Sequence, residues 1–404
     1  MPARRELVVW LAAAALAVGG SAAAQKKYDP GASDIEIKIG QTMPYSGPAS
    51  AYGTVGRAEA AYFQMINEQG GVNGRRLTLI SLDDGYSPAR TVEQIRRLVE
   101  EDGVLFIFQS LGTPTNTAIQ KYLNARQVPQ LFVATGATKW GDPQNFPWTM
   151  GWQPNYQSES HIYAKYLLQY KPNAKIGVLY QNDDYGKDCV KGLKDGLGSQ
   201  ASLIVKEVSY EVTDPSVDSQ IVTLQASAAD TFFIVATPKF AAQAIRKSHD
   251  IGWRPLGLLN NVSASVAAVL EPAGLDKSVG LITAAYIKDP TDPQWQRDKA
   301  FKDWVEWMKK YYPQGDLTDS FNVVGYTVAQ TLVQTLKQCG DDLSRENLMR
   351  QAASLKDLEL PMLLPGIRIN TSPSDFYPLE QMQLARFDGK RWMLFGEVIT
   401  GERR

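Results

Sequence analysis

Along almost its whole length the chain alternates short runs of β-branched and apolar residues with amphipathic helical stretches, a pattern that commits it to parallel strands joined by right-handed helical crossovers. A strand is expected at 35–41, then a helix at 53–69 with Ala58, Ala61, Tyr62, Met65 and Ile66 on one face, closed by the glycine-rich turn 67–73. A second strand follows at 77–83, and a helix at 88–101 turns Val92, Ile95, Leu98 and Val99 inward. The continuous apolar run 104–108 reads as a strand buried on both faces. Pro114 in a first turn, with Thr113 as N-cap, opens the next helix, and 130–134 is the fourth strand. From Ser158 the same grammar restarts: a helix to Tyr170, then strands at 175–180, 203–210, 231–236 and 256–259, with helices near 186–197 and 240–251. One long helix at 294–312 carries Trp295, Trp304 and Trp307, and another spans 320–338. Beyond 366 the period switches to strict alternation in Met382, Leu384 and Arg386, and Asp388-Gly389-Lys390 forms the turn of an antiparallel hairpin that ends near 398.

Arg4 and Arg5, the apolar stretch 7–20 and the small residues Ala22-Ala23-Ala24 predict a signal peptide over 1–24, cleaved near Ala24, and hence export to the periplasm. No stretch reaches the roughly 20 apolar residues that a membrane span needs. What remains of the 404 residues is too much for one ordinary core and suits two lobes. With 42 basic against 43 acidic residues and no basic cluster, nucleic acid is not an expected partner. Cys189 and Cys339 fall in different lobes, so two free thiols are expected. The inventory of reactive groups is thin. His161 and His249 lack metal-ligand spacing, and no nucleophile elbow, P-loop or dinucleotide fingerprint occurs, so neither an enzyme nor a cofactor is expected. Asp83-Asp84 and Asp183-Asp184 are adjacent carboxylates on extended chain, pointing to opposite faces, and read as turn caps.

Binding chemistry is better represented. Two polar turns directly follow apolar strands, at the carboxyl edge of a parallel sheet where ligands sit in open α/β folds. They are Gln109-Ser110-Leu111-Gly112-Thr113 and Ala134-Thr135-Gly136-Ala137-Thr138, the second backed by Lys139 and Trp140. Each offers hydroxyls and backbone N–H groups beside the positive end of a helix, a site for a carboxylate without a fixed cation, although helix capping alone would use the same residues. Tyr45, Tyr52, Trp140, Trp152, Tyr185 and Trp253 stand in loops and could wall such a site. Trp295, Trp304 and Trp307 have helical spacing and read as helix core or surface.

The ordered set Ser46-Gly47-Pro48-Ala49-Ser50-Ala51-Tyr52-Gly53, Gly70-Gly71-Val72-Asn73-Gly74, Asp83-Asp84, the two polar turns and Asp184-Tyr185-Gly186 resembles the substrate-binding proteins of branched-chain amino acid ABC transporters, the leucine/isoleucine/valine-binding type. The resemblance covers nearly the whole mature chain. It implies a type I periplasmic binding protein fold: two Rossmann-like α/β lobes with a three-strand hinge, lobe one at 35–152 and 285–366, lobe two at 153–284 and 367–404. The crossings would lie near 150–154, 284–287 and 365–368. It further implies a non-catalytic protein that closes on a small-molecule ligand and docks on an ABC transporter permease at the inner membrane, without inserting stably in the membrane. The candidate ligand contacts are Tyr52, Ser110, Leu111, Gly112, Thr113, Gly136, Ala137, Thr138, Trp152, Tyr185, Thr237 and Asn261.

Departures from the family pattern bear on the ligand. Asn260-Asn261 stands where amino-acid binders carry an acidic residue for the ammonium group, and a neutral amide cannot neutralise a buried ammonium. Thr237 replaces a second-lobe aromatic contact, and Tyr86 and Gln109 occupy the places of the family's disulfide. The expected ligand is therefore a small carboxylate without an amino group, aromatic acids included, given Trp140, Trp152, Tyr185 and Phe240 near the inferred cleft. The alternative is an α-amino acid whose ammonium is met by Glu207, Glu211 or Asp183. A module that reports its ligand to a membrane receptor, and a hydrolase on a similar scaffold, are the other function classes this chain could serve.

Overall fold

A computed structural model describes residues 26–401; the expected signal peptide lies outside the described residues. Two lobes are built, each on its own sheet. In the first, β1 (Glu36–Met43), α1 (Gly53–Glu68), β2 (Arg76–Asp83), α2 (Pro88–Glu100), β3 (Phe106–Phe108), α3 (Thr113–Ala125), β4 (Gln130–Val133) and β5 (Thr149–Gly151) follow one another. The five strands are all parallel, in the order β2-β1-β3-β4-β5. The second lobe contains α4 (Tyr156–Tyr170), β6 (Ile176–Gln181), α5 (Asp184–Leu197), β7 (Ile204–Tyr210), α6 (Asp218–Ala226), β8 (Thr231–Val235), α7 (Pro238–Asp250), β9 (Leu256–Leu259) and β10 (Ile282–Ala285).

Three more helices, α8 (Lys299–Tyr311), α9 (Ser320–Cys339) and α10 (Arg345–Ala352), precede the terminal hairpin of β11 (Gln381–Phe387) and β12 (Trp392–Thr400). The hairpin adds antiparallel to β10, with Phe387 opposite Trp392, and gives a seven-stranded sheet in the order β12-β11-β10-β9-β8-β6-β7. The switch of period beyond 366 in the sequence is thus the switch from parallel to antiparallel pairing.

α9 returns to the first lobe and lies on α1. A Cβ on Gly325 would stand 2.5 Å from the Val55 carbonyl oxygen, so the two backbones meet where no side chain fits. Tyr62 and Tyr326 pack edge to face beside this crossing with centroids 5.1 Å apart, and Trp307 covers the pair. Deeper in, the Trp152 indole donates to the Thr331 hydroxyl at 3.0 Å and its ring meets Tyr286. Cys189 and Cys339 are free and buried. Among the described residues no helix is long and apolar enough to cross a membrane.

Three local expectations are corrected. Gly112, not Thr113, is the N-cap of α3; its φ of +104° suits glycine, and Thr113 is the first helical residue. The expected helix 294–312 is two pieces, a 3-10 turn at Pro293–Arg297 and then α8, because Asp298 stays extended and caps the Phe301 N–H at 2.9 Å. Helix α4 begins at Tyr156 rather than at Ser158, since Asn155 accepts the N–H groups of Gln157 and Ser158.

Replacing Gly325 with Ala should shift the urea unfolding midpoint downward by the equivalent of about 1–3 kcal/mol, because the added methyl meets a carbonyl oxygen rather than a movable side chain. Circular dichroism across a urea series measures it, and an unchanged midpoint would show that α1 and α9 can separate without cost.

Candidate functional site

Parallel strands that end side by side deliver the next helices with their N-termini facing a common space. Here five helix starts surround one cavity of about 100 Å³: Gly112 and Thr113 at α3, Tyr156 at α4, Tyr185 at α5, Thr237 at α7 and Ser320 at α9 all line it. Asn155 and Asp183 cap α4 and α5 with their own side chains, whereas α3 and α7 carry no side-chain cap. The first-turn donors of α3 and α7 are therefore the ones left to a ligand.

The walls are mostly apolar. Rings of Tyr52 and Phe321 lie 5.1 Å apart on one side, and those of Tyr156 and Tyr185 lie 4.9 Å apart on another. At the far end the cavity follows residues 284–287, where Ile287 bridges Leu363 and the Leu364 N–H donates to the Tyr286 carbonyl. Among the described residues no lysine or arginine lines it. Contacts between the two lobes span its rim: the Tyr52 hydroxyl donates to the Val262 carbonyl at 3.0 Å, Ser265 donates to Asp319 at 2.8 Å, and Lys139 pairs with Asp184 at 2.8 Å.

Seven of the residues expected from the sequence line this space: Tyr52, Leu111, Gly112, Thr113, Tyr185, Thr237 and Asn261. The other five do not, each for a local reason. Ser110 turns its hydroxyl back to accept the Thr42 N–H at 3.1 Å. Beside Gly136 the space is filled by the Pro154 carbonyl and the Tyr156 ring, and Ala137 is packed in the core. Thr138 gives both its N–H and its hydroxyl to Asp188 at 2.8 Å, so a carboxylate of the protein's own takes the donors foreseen for a ligand. Trp152 is a core residue, as described above.

Among the loop aromatics, Tyr45 is tied to Ser81, the Trp140 indole to Thr135, and the Trp253 indole to the Ala229 carbonyl; none of them lines the cavity. Phe240 packs on Tyr210 in the second lobe's own core. The acids foreseen for an ammonium group are engaged elsewhere: Glu207 with Lys194, Glu211 with Asn182, and Asp183 as the cap of α5.

Other lining residues had no signal of their own. Trp295, whose helical spacing suggested core or surface of a helix, packs in the core and also lines the cavity from the 3-10 turn. Asp289 and Asp292 line the same end, each holding a following turn through Thr291 and Gln294, and burial pushes the Asp289 carboxyl up to about 6. Tyr86 and Gln109 line the first-lobe wall. Tyr86 had been noted only as an occupant of a place where the family carries a disulfide, and Gln109 both for that and as the first residue of a polar turn.

Residues 36–391 match the family model described as periplasmic binding protein. The chain belongs to the periplasmic binding protein family. Its members bind ligands and are not enzymes. Leu/Ile/Val-binding protein homolog 1 of Brucella abortus (strain 2308) is 23% identical over 344 residues, which cover 83% of this chain and 84% of that one. In structure it is similar to a branched-chain amino acid ABC transporter protein from Thermus thermophilus with bound valine, with a TM-score of 0.81 at 16% identity over 91% of this chain and 97% of that one. A fatty acid ABC transporter substrate-binding protein from Thermomonospora curvata gives a TM-score of 0.76 at 22% identity over 93% and 95% of the two chains.

This periplasmic binding protein also holds a buried carboxylate behind the cavity-lining Asn261. Glu159, in the first turn of α4, accepts the Tyr163 hydroxyl at 2.6 Å, the Asn260 amide at 2.6 Å, and the Asn261 N–H and amide at 2.8 and 2.5 Å. Burial pushes the Glu159 carboxyl up to about 7, against the pull of these four donors. The Tyr163 hydroxyl also lies 2.8 Å from the Leu259 carbonyl, so its hydrogen can swing there when Glu159 takes a proton.

The folded value stands above the ordinary carboxylate value of 4.5, so the folded chain holds this proton more tightly than the unfolded one. Its contribution to stability is complete below about 4.5 and is lost as pH rises through about 7. Glu159→Gln should flatten the fall of the thermal midpoint between those two values, and a slope as steep as that of the parent would place the titration on another group.

Proposed function

We propose that the chain is the extracytoplasmic solute-binding component of an ABC importer, exported through the signal peptide at 1–24, and that its ligand is a small carboxylate with an apolar or aromatic body. The observation that carries this reading is the cavity itself: helix N-termini, two of them uncapped, around ring-lined walls with no lysine or arginine among the described residues. Such a site stabilises a carboxylate through neutral donors and helix dipoles and leaves the remainder of the ligand to apolar contact.

The relatives point the same way. Valine, bound in one structural neighbour, and a fatty acid, after which another is named, have in common a carboxylate on an apolar body. In this chain Thr113, with its hydroxyl 2.5 Å from that of Thr135, and the α3 N-terminus would receive the anionic group. Tyr52, Tyr156, Tyr185 and Phe321 would enclose the body.

Binding would then act as a bridge. The ligand touches elements of both lobes and shifts the population towards the form in which they meet across the rim, as is usual for hinge closure of periplasmic binding proteins. On this reading the lobes divide at 152–153, 284–285 and 366–367, the closed form docks on an inner-membrane permease, and the site works in the periplasm.

An amino acid is the second reading. The names of the curated relatives favour it, and Asp289 and Asp292 offer acidic groups at the hinge end of the cavity. Calorimetric titration with benzoate, 4-methylpentanoate and leucine separates the two. Binding of the simple acids with no heat from leucine is expected; tight leucine binding with none of the acids would reverse the assignment. Thr113→Val should weaken the bound acid about tenfold, on the order of 1.4 kcal/mol, by removing one donor without changing the shape of the site.

A further inference from the structure

Two side-chain amides border the cavity with their acceptor ends unused. Gln109 is 1% exposed; its Nε2 donates to the Phe132 carbonyl at 2.5 Å, and its Oε1 meets no donor among the described residues. The amide cannot be turned over, because that would set Oε1 against the Phe132 carbonyl oxygen, acceptor against acceptor. Both residues have left-handed backbones, φ +52° for Gln109 and +53° for Phe132, a conformation that non-glycine residues hold only where their surroundings impose it.

Asn261 is oriented in the same sense. Its backbone N–H and its Nδ2 are both committed to Glu159, and no hydrogen bond from a described residue reaches its Oδ1. The neighbouring Asn260 shows how such an acceptor is satisfied within the protein. Its Nδ2 also goes to Glu159, and its Oδ1 receives the Tyr185 hydroxyl at 3.0 Å. Gln109 and Asn261 lack a Tyr185 of their own.

We infer that Gln109 and Asn261 select a ligand bearing a neutral hydrogen-bond donor on its body, that is, a hydroxy acid, with Glu159 and the Phe132 carbonyl as the groups that hold the two amides in the accepting orientation. The inference rests on the carboxylate reading of the same cavity and narrows it. A hydroxyl fits better than an ammonium, since neither amide carries charge and the Glu159 carboxylate already has four donors. A ligand without the hydroxyl would leave a buried acceptor unpaired on closure, the situation in which binding sites discriminate most strongly.

Titration of the purified chain with benzoate and its three monohydroxy isomers, and with 4-methylpentanoate and its 2-hydroxy derivative, tests this. At least one hydroxylated acid should bind about tenfold or more tighter than its parent. Gln109→Met and Asn261→Leu should each reduce that ratio to about threefold or less. Glu159→Gln should reduce the ratio in the same way, which a role confined to stability would not do. Thermal melts establish that each variant is folded, and Asn261, only partly buried, gives a readout even if Gln109→Met does not fold.

Parent acids that bind the wild type as tightly as every hydroxylated partner would overturn the inference and leave the carboxylate reading standing. Variants that keep the full ratio would overturn it as well. A folded protein that takes none of the six acids would overturn both.

Discussion

An uncapped helix start facing a closed space has N–H groups that must find an acceptor, and the arrangement of this protein follows from where five such starts converge. Parallel strands of two different sheets put Thr113, Tyr156, Tyr185 and Thr237 around one cavity, and the helix starting at Ser320 joins them. Three of these starts are capped, by Asn155, Asp183 and Asp319, and the turn before α4 is closed further by Asp188, which takes the N–H and hydroxyl of Thr138. The starts of α3 and α7 are the two left without a side-chain cap. No lysine or arginine among the described residues lines the cavity, so its only cationic character is that of helix N-termini.

Glu159 is the counterpart on the second lobe. Its carboxylate ties the first turn of α4 to Asn260 and Asn261 just beyond β9, and through Tyr163 to the Leu259 carbonyl and the Ala284 N–H of β10. Residues 284–287 lie along the cavity, and Ile287 forms an isolated antiparallel bridge with Leu363. One buried acid thus ties together a cavity-lining asparagine and the end of β10, so the two belong to one hydrogen-bond network. An acid in this place also accounts for the asparagine pair: two amides that both donate to one carboxylate are oriented by it, where a second acid would be repelled.

The fold was legible because strand and helix periods differ, and nearly every element from β1 to α9 was recognisable by period alone. The terminal hairpin was equally clear, through its alternation and the Asp388-Gly389-Lys390 turn. Boundaries set by caps were less so. Asn155, Gly112 and Asp298 decide where α4, α3 and α8 begin, and each acts through a side-chain or backbone conformation that periodicity does not register. In the site, residues at strand ends that point along the sheet axis were identified, including Thr113, Tyr185, Thr237 and Asn261. Ser110 and Thr138 have the same chemical type and place, yet their donors and acceptors are taken by Thr42 and Asp188, partners distant in sequence. Type and position along the chain predict which groups could bind; only the tertiary partners determine which remain free.

Tyr86 and Gln109 illustrate how a lost cross-link can become part of a binding wall. The resemblance to leucine/isoleucine/valine-binding proteins puts a disulfide at these two places, which would tie the end of β3 to the loop before α2 by covalent restraint. Here the restraint is made by packing and hydrogen bonding. The Tyr86 ring lies so close to Gly112 that a Cβ there would stand 2.5 Å from it, the Tyr86 N–H is held by Asp84 at 2.9 Å, and Gln109 is anchored on Phe132. A disulfide offers a ligand two sulfur atoms with little hydrogen-bonding capacity, whereas an aromatic ring and an amide offer an apolar face and an acceptor. The exchange keeps the α3 start in place with glycine as its N-cap, and both residues line the cavity.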